Sequence, residues 1–275
     1  MMKILSKLVI GAAGLLAIAS CTKNQIDYGE VEKLTGDETL LKINNVSMYY
    51  NNRSAIFKIN GKRVSGLLTA RSPFPGGGYN TGGDSKPDFL SVPSGDVNLS
   101  VVLPKKKDDG TDSLVLYNTT LNLTAGKRYS VHLTDTAAAT KSLLTEENFT
   151  MPDSTVVRYR FVNLMPNVAA VDVYYGVTLA TPTKPSVDSL ILSNVPFMQM
   201  TPEFKLKAGG LTAGGVLGSW KVRPAGAANT TATVLASYSS ASTVLDRRVY
   251  TAFACGYSGK TTAAQKPYIS FYLVR

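Results

Sequence analysis

Apolar and polar residues alternate in short bursts along most of this chain. Val97, Leu99, Val101 and Leu103 stand against Asn98 and Ser100, followed by Leu114 and Leu116 and then by Leu121 and Leu123. A period of two sends successive side chains to opposite faces of a strand. From about Leu40 onward such runs, rich in Val, Leu, Tyr, Phe and Thr, are separated by Gly, Pro, Asn and Asp, and no amphipathic helical run interrupts them. Many short strands spaced roughly 8–12 residues apart predict an all-β chain built of sandwiches.

The pattern occurs twice. LKINNV at 41–46 and AIFKINGK at 55–62 are answered by YRFVNL at 159–164 and AVDVYYGV at 170–177. FLSVPSGDVNLSVVL at 89–103 corresponds to FKLKAGG at 204–210 with GSWKVRPAG at 218–226, and TAGKRYSVHL at 124–133 to LDRRVYTAFA at 245–254. The order of strands and turns is the same in both halves. PYISFYLV at 267–274 has a counterpart in the first half only if residues around 141–150 supply it. The expected division is therefore a sandwich over 39–140, a linker over 136–154 with at most one helical turn before Pro152, and a separable second sandwich over 154–275.

The beginning of the chain reads differently. Lys3 and Lys7 form a short basic region, Leu8 to Ile18 a short apolar one, and Ala19-Ser20-Cys21 closes it. About 20 apolar residues are needed to span a bilayer, which this segment lacks. Ala19-Ser20-Cys21 after an aliphatic run resembles the bacterial lipobox. The resemblance implies a signal peptide over 1–20, cleavage before Cys21 and lipid on the Cys21 sulfur and amine, with the polar stretch 21–38 as a tether. Two or three acyl chains hold a protein on a membrane where one does not. The expected location is the cell envelope, lipid-anchored at the outer membrane, on either of its sides.

Charge and chemistry narrow the function. Removing Lys3 and Lys7 from the 29 basic residues leaves an excess of about +8 over 19 acidic ones, spread thinly; Lys105-Lys106-Lys107 is followed at once by Asp108-Asp109. No basic stripe interleaved with aromatics exists, which argues against a nucleic-acid partner. One histidine, His132, and one cysteine besides Cys21, Cys255, cannot form a metal cluster or an intramolecular disulfide. Cys255 lies in the apolar run VYTAFAC and reads as a buried structural thiol. His132 alternates with Val131 and Leu133 and so is expected on a polar, solvent-facing side. Ala254-x-x-x-x-Gly259-Lys260-Thr261 fits a relaxed phosphate-loop pattern, but Pro267 follows too soon for the helix that such a cradle requires, so a hairpin loop is expected.

YRFVNLMPNVAAVDVYYG carries a resemblance. Phe161, Val162, Asn163 and Pro166, then Val171, Asp172, Val173, Tyr174 and Gly176, resemble the opening of the Ig-like "domain of unknown function forty-three ninety-seven" found in lipoproteins of the Bacteroidota. Pro93 with Gly95, and Ala125-Gly126-Lys127 with Tyr129, fit later parts of that repeat. The first half departs from it, having Lys58 where Asp172 stands. The resemblance implies tandem Ig-like antiparallel β-sandwiches on an exported protein, and no catalytic residues.

The functional expectation is a non-enzymatic binding or adhesion role, including a carbohydrate-binding accessory version, without cofactor, catalytic set or metal. Partners are the membrane through the anchor, and glycans or envelope proteins. The Gly-rich stretch 71–87 is expected to be a recognition loop presenting Phe74, Tyr79 and Asn80, removable over Gly76–Gly83 without harm to the fold. Tyr49-Tyr50, Tyr174-Tyr175 and Trp220 are read first as packing residues. Asp112-Ser113-Leu114, Asp135-Thr136-Ala137 and Asp188-Ser189-Leu190 resemble bacterial O-glycosylation acceptors. The alternative is an extracytoplasmic hydrolase whose carboxylates only folding would assemble.

Overall fold

The computed structural model describes residues 36–48, 53–76, 79–80, 86–106, 111–177, 187–210, 212–213 and 216–275. Cys21, residues 1–20 and Tyr49-Tyr50 lie outside the described residues. Gly36–Arg275 forms one compact unit. Its first half holds β1 (Glu38–Asn45), β2 (Ile56–Ile59), β3 (Lys62–Arg63), β4 (Ser72–Phe74), β5 (Leu90–Pro93), β6 (Gly95–Pro104), β7 (Asp112–Leu123), β8 (Arg128–Thr134) and β9 (Lys141–Glu146). The second holds β10 (Val156–Leu164), β11 (Ala170–Val177), β12 (Val187–Pro196), β13 (Phe204–Lys207), β14 (Thr212–Ala213), β15 (Val216–Leu217), β16 (Ser219–Pro224), β17 (Ala236–Tyr238), β18 (Val249–Cys255) and β19 (Tyr268–Leu273).

The repeat read from the sequence is the repeat of the fold. One sheet of the first half runs β4-β1-β8-β9 with β5 also on β1, and its counterpart in the second half runs β13-β10-β18-β19. Two further four-stranded sheets, β3-β2-β6-β7 and β12-β11-β16-β17, correspond strand for strand, and β14-β15 forms a small sheet of its own. In both halves the first strand pairs in parallel with the strand after the charged turn: Leu41 opposite Tyr129, and Tyr159 opposite Tyr250. Even the strand ends agree, since Asn45 Oδ1 accepts from Ser47 N at 3.3 Å and Asn163 Oδ1 from Met165 N at 3.1 Å, an Asx turn at the same repeat position.

The expected linker needs correction. Residues 141–146 form β9, antiparallel to β8 as β19 is to β18, and only residues 137–139 make a helical turn. Leu143 and Leu144 face opposite sides of β9 and each packs on a core, so no polar face marked this strand in the sequence.

Three apolar layers hold four sheets together. Leu41, Ile43, Phe57, Leu99, Val131 and their neighbours fill the first sandwich. Tyr159, Phe161, Val173, Tyr175, Trp220 and Phe271 lead the second, with Trp220 within 5.0–5.3 Å of the Tyr159, Tyr175 and Phe271 rings. Each such side chain contributes about 1.5–3 kcal/mol on burial. A third cluster lies between the sandwiches: Val46, Met48 and Tyr79 meet Val162, Leu164, Phe253, Cys255, Tyr272 and Val274. These residues belong to the faces of the β1 and β10 sheets that point away from their own sandwich cores. Those two faces therefore pack on one another, and their polar positions are buried.

Candidate functional site

The seam between the sandwiches gathers several buried titratable groups, Lys42, His132 and Glu147 among them. Lys42 and Asn44 on β1 and Ser130, His132 and Thr134 on β8 alternate with the core residues of the first sandwich and point across to the second. The solvent-facing His132 of the sequence reading is corrected: it is fully buried. Alternation located its face correctly, but that face meets a second sheet. Tyr79 donates its hydroxyl to Asn44 Oδ1, Asn44 Nδ2 donates to His132 Nδ1 at 3.0 Å, and His132 Nε2 lies 3.2 Å from Thr145 Oγ1. An amide nitrogen can only donate, so Nδ1 accepts and the ring proton sits on Nε2. Burial, with the Arg160 charge as a lesser cause, pushes the imidazole down to about 3. A neutral, enclosed imidazole of this kind cannot exchange protons with a substrate near neutrality.

Glu147 is the carboxylate of the seam. It accepts from Tyr272 Oη at 2.7 Å and Thr251 Oγ1 at 3.0 Å, with Arg160 Nη1 at 3.8 Å. Lys42 is also buried, its ammonium 5.1 Å from the Phe89 ring centroid and 5.8 Å from that of Tyr272. Loss of water around the amine pushes it down to about 8, against the opposing charges of Asp88 and Glu147. Thr134 Oγ1 and Arg128 Nη1 close the seam on the Leu164 and Val274 carbonyls at 2.7 and 2.9 Å.

The expected recognition residues lie in packing, which corrects that reading. Phe74 sits on β4 opposite Ile43 and packs 5.8 Å from Phe57. Tyr79 is buried, its ring 5.0 Å from Phe253. Asn80 bonds the second sandwich three times: its N donates to Phe271 O at 3.0 Å, its Nδ2 to Ser242 O at 3.3 Å, and its carbonyl accepts from Tyr238 Oη at 2.6 Å. β4 and β5 pair along β1 one after the other, and Tyr79 and Asn80, which fall between them in sequence, act as a clamp across the seam. The sequence signal that was missed is the aromatic-amide pair amid glycines: glycine-rich flanks suggest exposure, whereas Tyr79 and Asn80 each carry an anchoring group.

Other singled-out residues are structural as well. Trp220, Tyr174 and Tyr175 are buried. Cys255 is buried, its thiol pushed up to about 12 by loss of solvent, far from a nucleophile's range. Asp172 holds the backbone N–H groups of Asn194 and Gly226 at 2.7 and 2.9 Å, and Lys58 at its repeat position reaches Asp112 at 2.7 Å. Asp188 pairs with Lys221 and with Arg223 at 2.9 Å. Of the three glycosylation-like triplets, those at 112 and 188 expose their serines. The 254–261 motif forms the β18–β19 hairpin loop, and no helix follows Lys260. Its tight return needs Gly256, at φ +93°, where a Cβ would collide with the Lys266 carbonyl. Among the described residues no group of His, Cys, Asp and Glu could hold a metal, and no helix is long and apolar enough to cross a membrane.

One open recess of about 380 Å³ remains beside the seam, lined by Asn148, Phe149, Thr150, Arg160 and Glu203. Arg158 Nη1 meets Glu203 Oε1 at 2.6 Å, and Thr150 N donates to Glu203 Oε2 at 3.0 Å. An amide, a hydroxyl, a guanidinium and a carboxylate beside one ring can serve sugar hydroxyls.

Residues 79–174 match the family described as Domain of unknown function (DUF4397). That span covers well under half of the 275 residues, against the broader extent that the motifs suggested. It starts at Tyr79, runs through β5–β10 and ends on β11, so it takes strands from both halves and straddles the seam. No curated protein matches the chain. The resemblance read from the strand, turn and Val-Asp-Val-Tyr residues is thus a similarity to this family over residues 79–174.

Proposed function

We propose that the protein is a lipid-anchored component of the cell envelope, held by Cys21 at the outer membrane, with a non-enzymatic binding or adhesion role. One observation carries the binding part. The groups that would perform acid–base chemistry, His132 and Glu147, lie sealed between two sheets and committed to hydrogen bonds inside the protein. The fold is a carrier for its exposed loops and for the open recess at Asn148–Glu203. Glycans and envelope proteins are the partners such a surface meets, and the Asn148–Glu203 recess suits the carbohydrate-binding version.

The test has two arms. Metabolic acyl labelling with membrane fractionation should show label on the wild type and none on Cys21→Ala, which stays unprocessed or soluble. The purified protein should then bind envelope glycans or proteins and turn none of them over. Label persisting in the variant removes the anchor, and turnover removes the non-enzymatic role.

A further inference from the structure

Exposed cations collect at one end of the molecule, where loops of both sandwiches meet. β1 and β8 run in parallel, β10 and β18 likewise, and cross-seam bonds join β8 to β19 near Arg128 and β8 to β10 near Thr134. All four strands therefore start at one end, the leading end, and finish at the other, the trailing end. At the leading end three cations are paired, Lys127 with Glu146 at 2.9 Å, Arg158 with Glu203 at 2.6 Å and Arg247 with Asp246 at 3.7 Å, while Lys205 and Lys207 on β13 stand exposed and outside any ion pair among the described residues.

The trailing end is different. Arg53 follows β1, Arg71 donates its backbone N–H to Asn45 O, Lys141 opens β9 opposite Thr134, and Lys260 and Lys266 lie on the β18–β19 loop. Among the described residues none of these five cations has a carboxylate partner, and Arg53, Lys141, Lys260 and Lys266 are exposed. Three acids are engaged with other partners: Asp135 accepts from Tyr257 Oη at 2.6 Å, Asp112 pairs with Lys58, and Asp172 holds two backbone N–H groups. Both sandwiches contribute, and they are tied there by Arg71 Nη2 to Lys266 O at 2.5 Å.

We propose that this trailing end is a docking surface for an acidic polysaccharide, a repeating chain of uronate-type carboxylates lying across the seam. Charge complementarity gives the sign of the partner. Its extended form follows from the geometry, since the cations are spread over several loops and the enclosed space near Arg53, about 10 Å³, admits no more than a water. Stacking distinguishes a glycan from a nucleic acid. The rings of Tyr268 and Phe197 are already capped, by the Arg71 guanidinium at 4.8 Å and by Lys141 Nζ at 5.3 Å, which leaves neither for a base. This inference rests on the binding reading above and gives it a ligand class and a place.

The test uses the chain from residue 21 onward, soluble through Cys21→Ser, with polygalacturonate as probe, dextran as uncharged control and single-stranded DNA as rival. Retention on polygalacturonate should fall steeply with salt, dextran should not bind, and DNA should bind less tightly. The combined variant Arg53→Gln, Lys141→Gln, Lys260→Gln and Lys266→Gln should lose about tenfold or more in affinity and part of the salt dependence. Lys205→Gln with Lys207→Gln at the leading end should change neither, and an unaltered thermal unfolding curve would show that the fold of each variant is intact. No retention of polygalacturonate at low salt, equal loss in the leading-end variant, or tighter binding of DNA would each overturn the proposal. Dextran binding lost on Asn148→Ala would instead place the ligand in the recess, sparing the binding reading while refuting this one.

Discussion

Asn44 Nδ2 lies 3.0 Å from His132 Nδ1, and that contact fixes the imidazole as a neutral ring whose proton is on Nε2. The pair links parallel strands β1 and β8 inside the seam, and Tyr79 completes it from the clamp.

Acid should therefore unfold the protein through this ring. Its folded value, about 3, lies below the 6.5 of an unfolded histidine, so the unfolded chain binds the extra proton between those limits. Stability is complete above pH 6.5 and declines as pH falls, by up to about 5 kcal/mol near pH 3. Urea unfolding at steps from pH 7 to 4 should show a slope that His132→Gln removes. An unchanged slope in the variant would mean that the ring already ionises in the fold.

Lys42 gives the opposite limb. Burial lowers its folded value to about 8 from 10.5, so the unfolded chain again binds more protons between the two, and stability rises with pH over that window by roughly 3 kcal/mol at most. Lys42→Met should be more stable than wild type at pH 7 and lack the rise between pH 8 and 10. Equal denaturation midpoints for the two proteins at pH 7 would refute it.

The clamp formed by Tyr79 and Asn80 is expected to matter for folding. Tyr79→Phe strands Asn44 Oδ1 without its donor and should cost about 1–3 kcal/mol, and Tyr79→Ala about 3–5 kcal/mol through the void beside Phe253. Both read out as lowered urea midpoints. Deleting Gly76–Gly83, harmless for a free recognition loop, should destabilise the whole chain because it removes Tyr79 and Asn80 together.

The second half should not stand alone in comfort. Residues 154–275 carry Val162, Leu164, Phe253 and Tyr272 on the face that the first sandwich covers. A contiguous apolar face of that kind drives association. Expressed by itself, the fragment should self-associate or bind hydrophobic dyes, as light scattering and dye fluorescence would report. A monomeric, dye-silent fragment as stable as the full chain would show the seam to be dispensable.

The strands and their duplication were readable because period-two alternation and turn residues are local. Val97 to Leu103 and Phe161 to Leu164 needed only their neighbours. His132 shows where locality ends: its face was correct, and the burial of that face depends on Tyr272, 140 residues further along the chain. Tyr79 and Asn80 were singled out for the right property, side chains unneeded by their own sandwich, and for the wrong partner. The recess at Asn148–Glu203 had no signature, since its residues come from three separate stretches, 148–150, Arg160 and Glu203, that only folding brings together.

That seam joins equivalent sheets face to face, β1-β8-β9 against β10-β18-β19. Units stacked head to tail leave a fresh face at each end and can continue indefinitely, whereas a like-against-like contact uses the same face of both partners. The chain is in this respect a homodimer written as one polypeptide, and it is closed. A third copy of the unit would find the matching face taken, so lengthening by this route proceeds in pairs, each pair a finished body joined to the next only by linker.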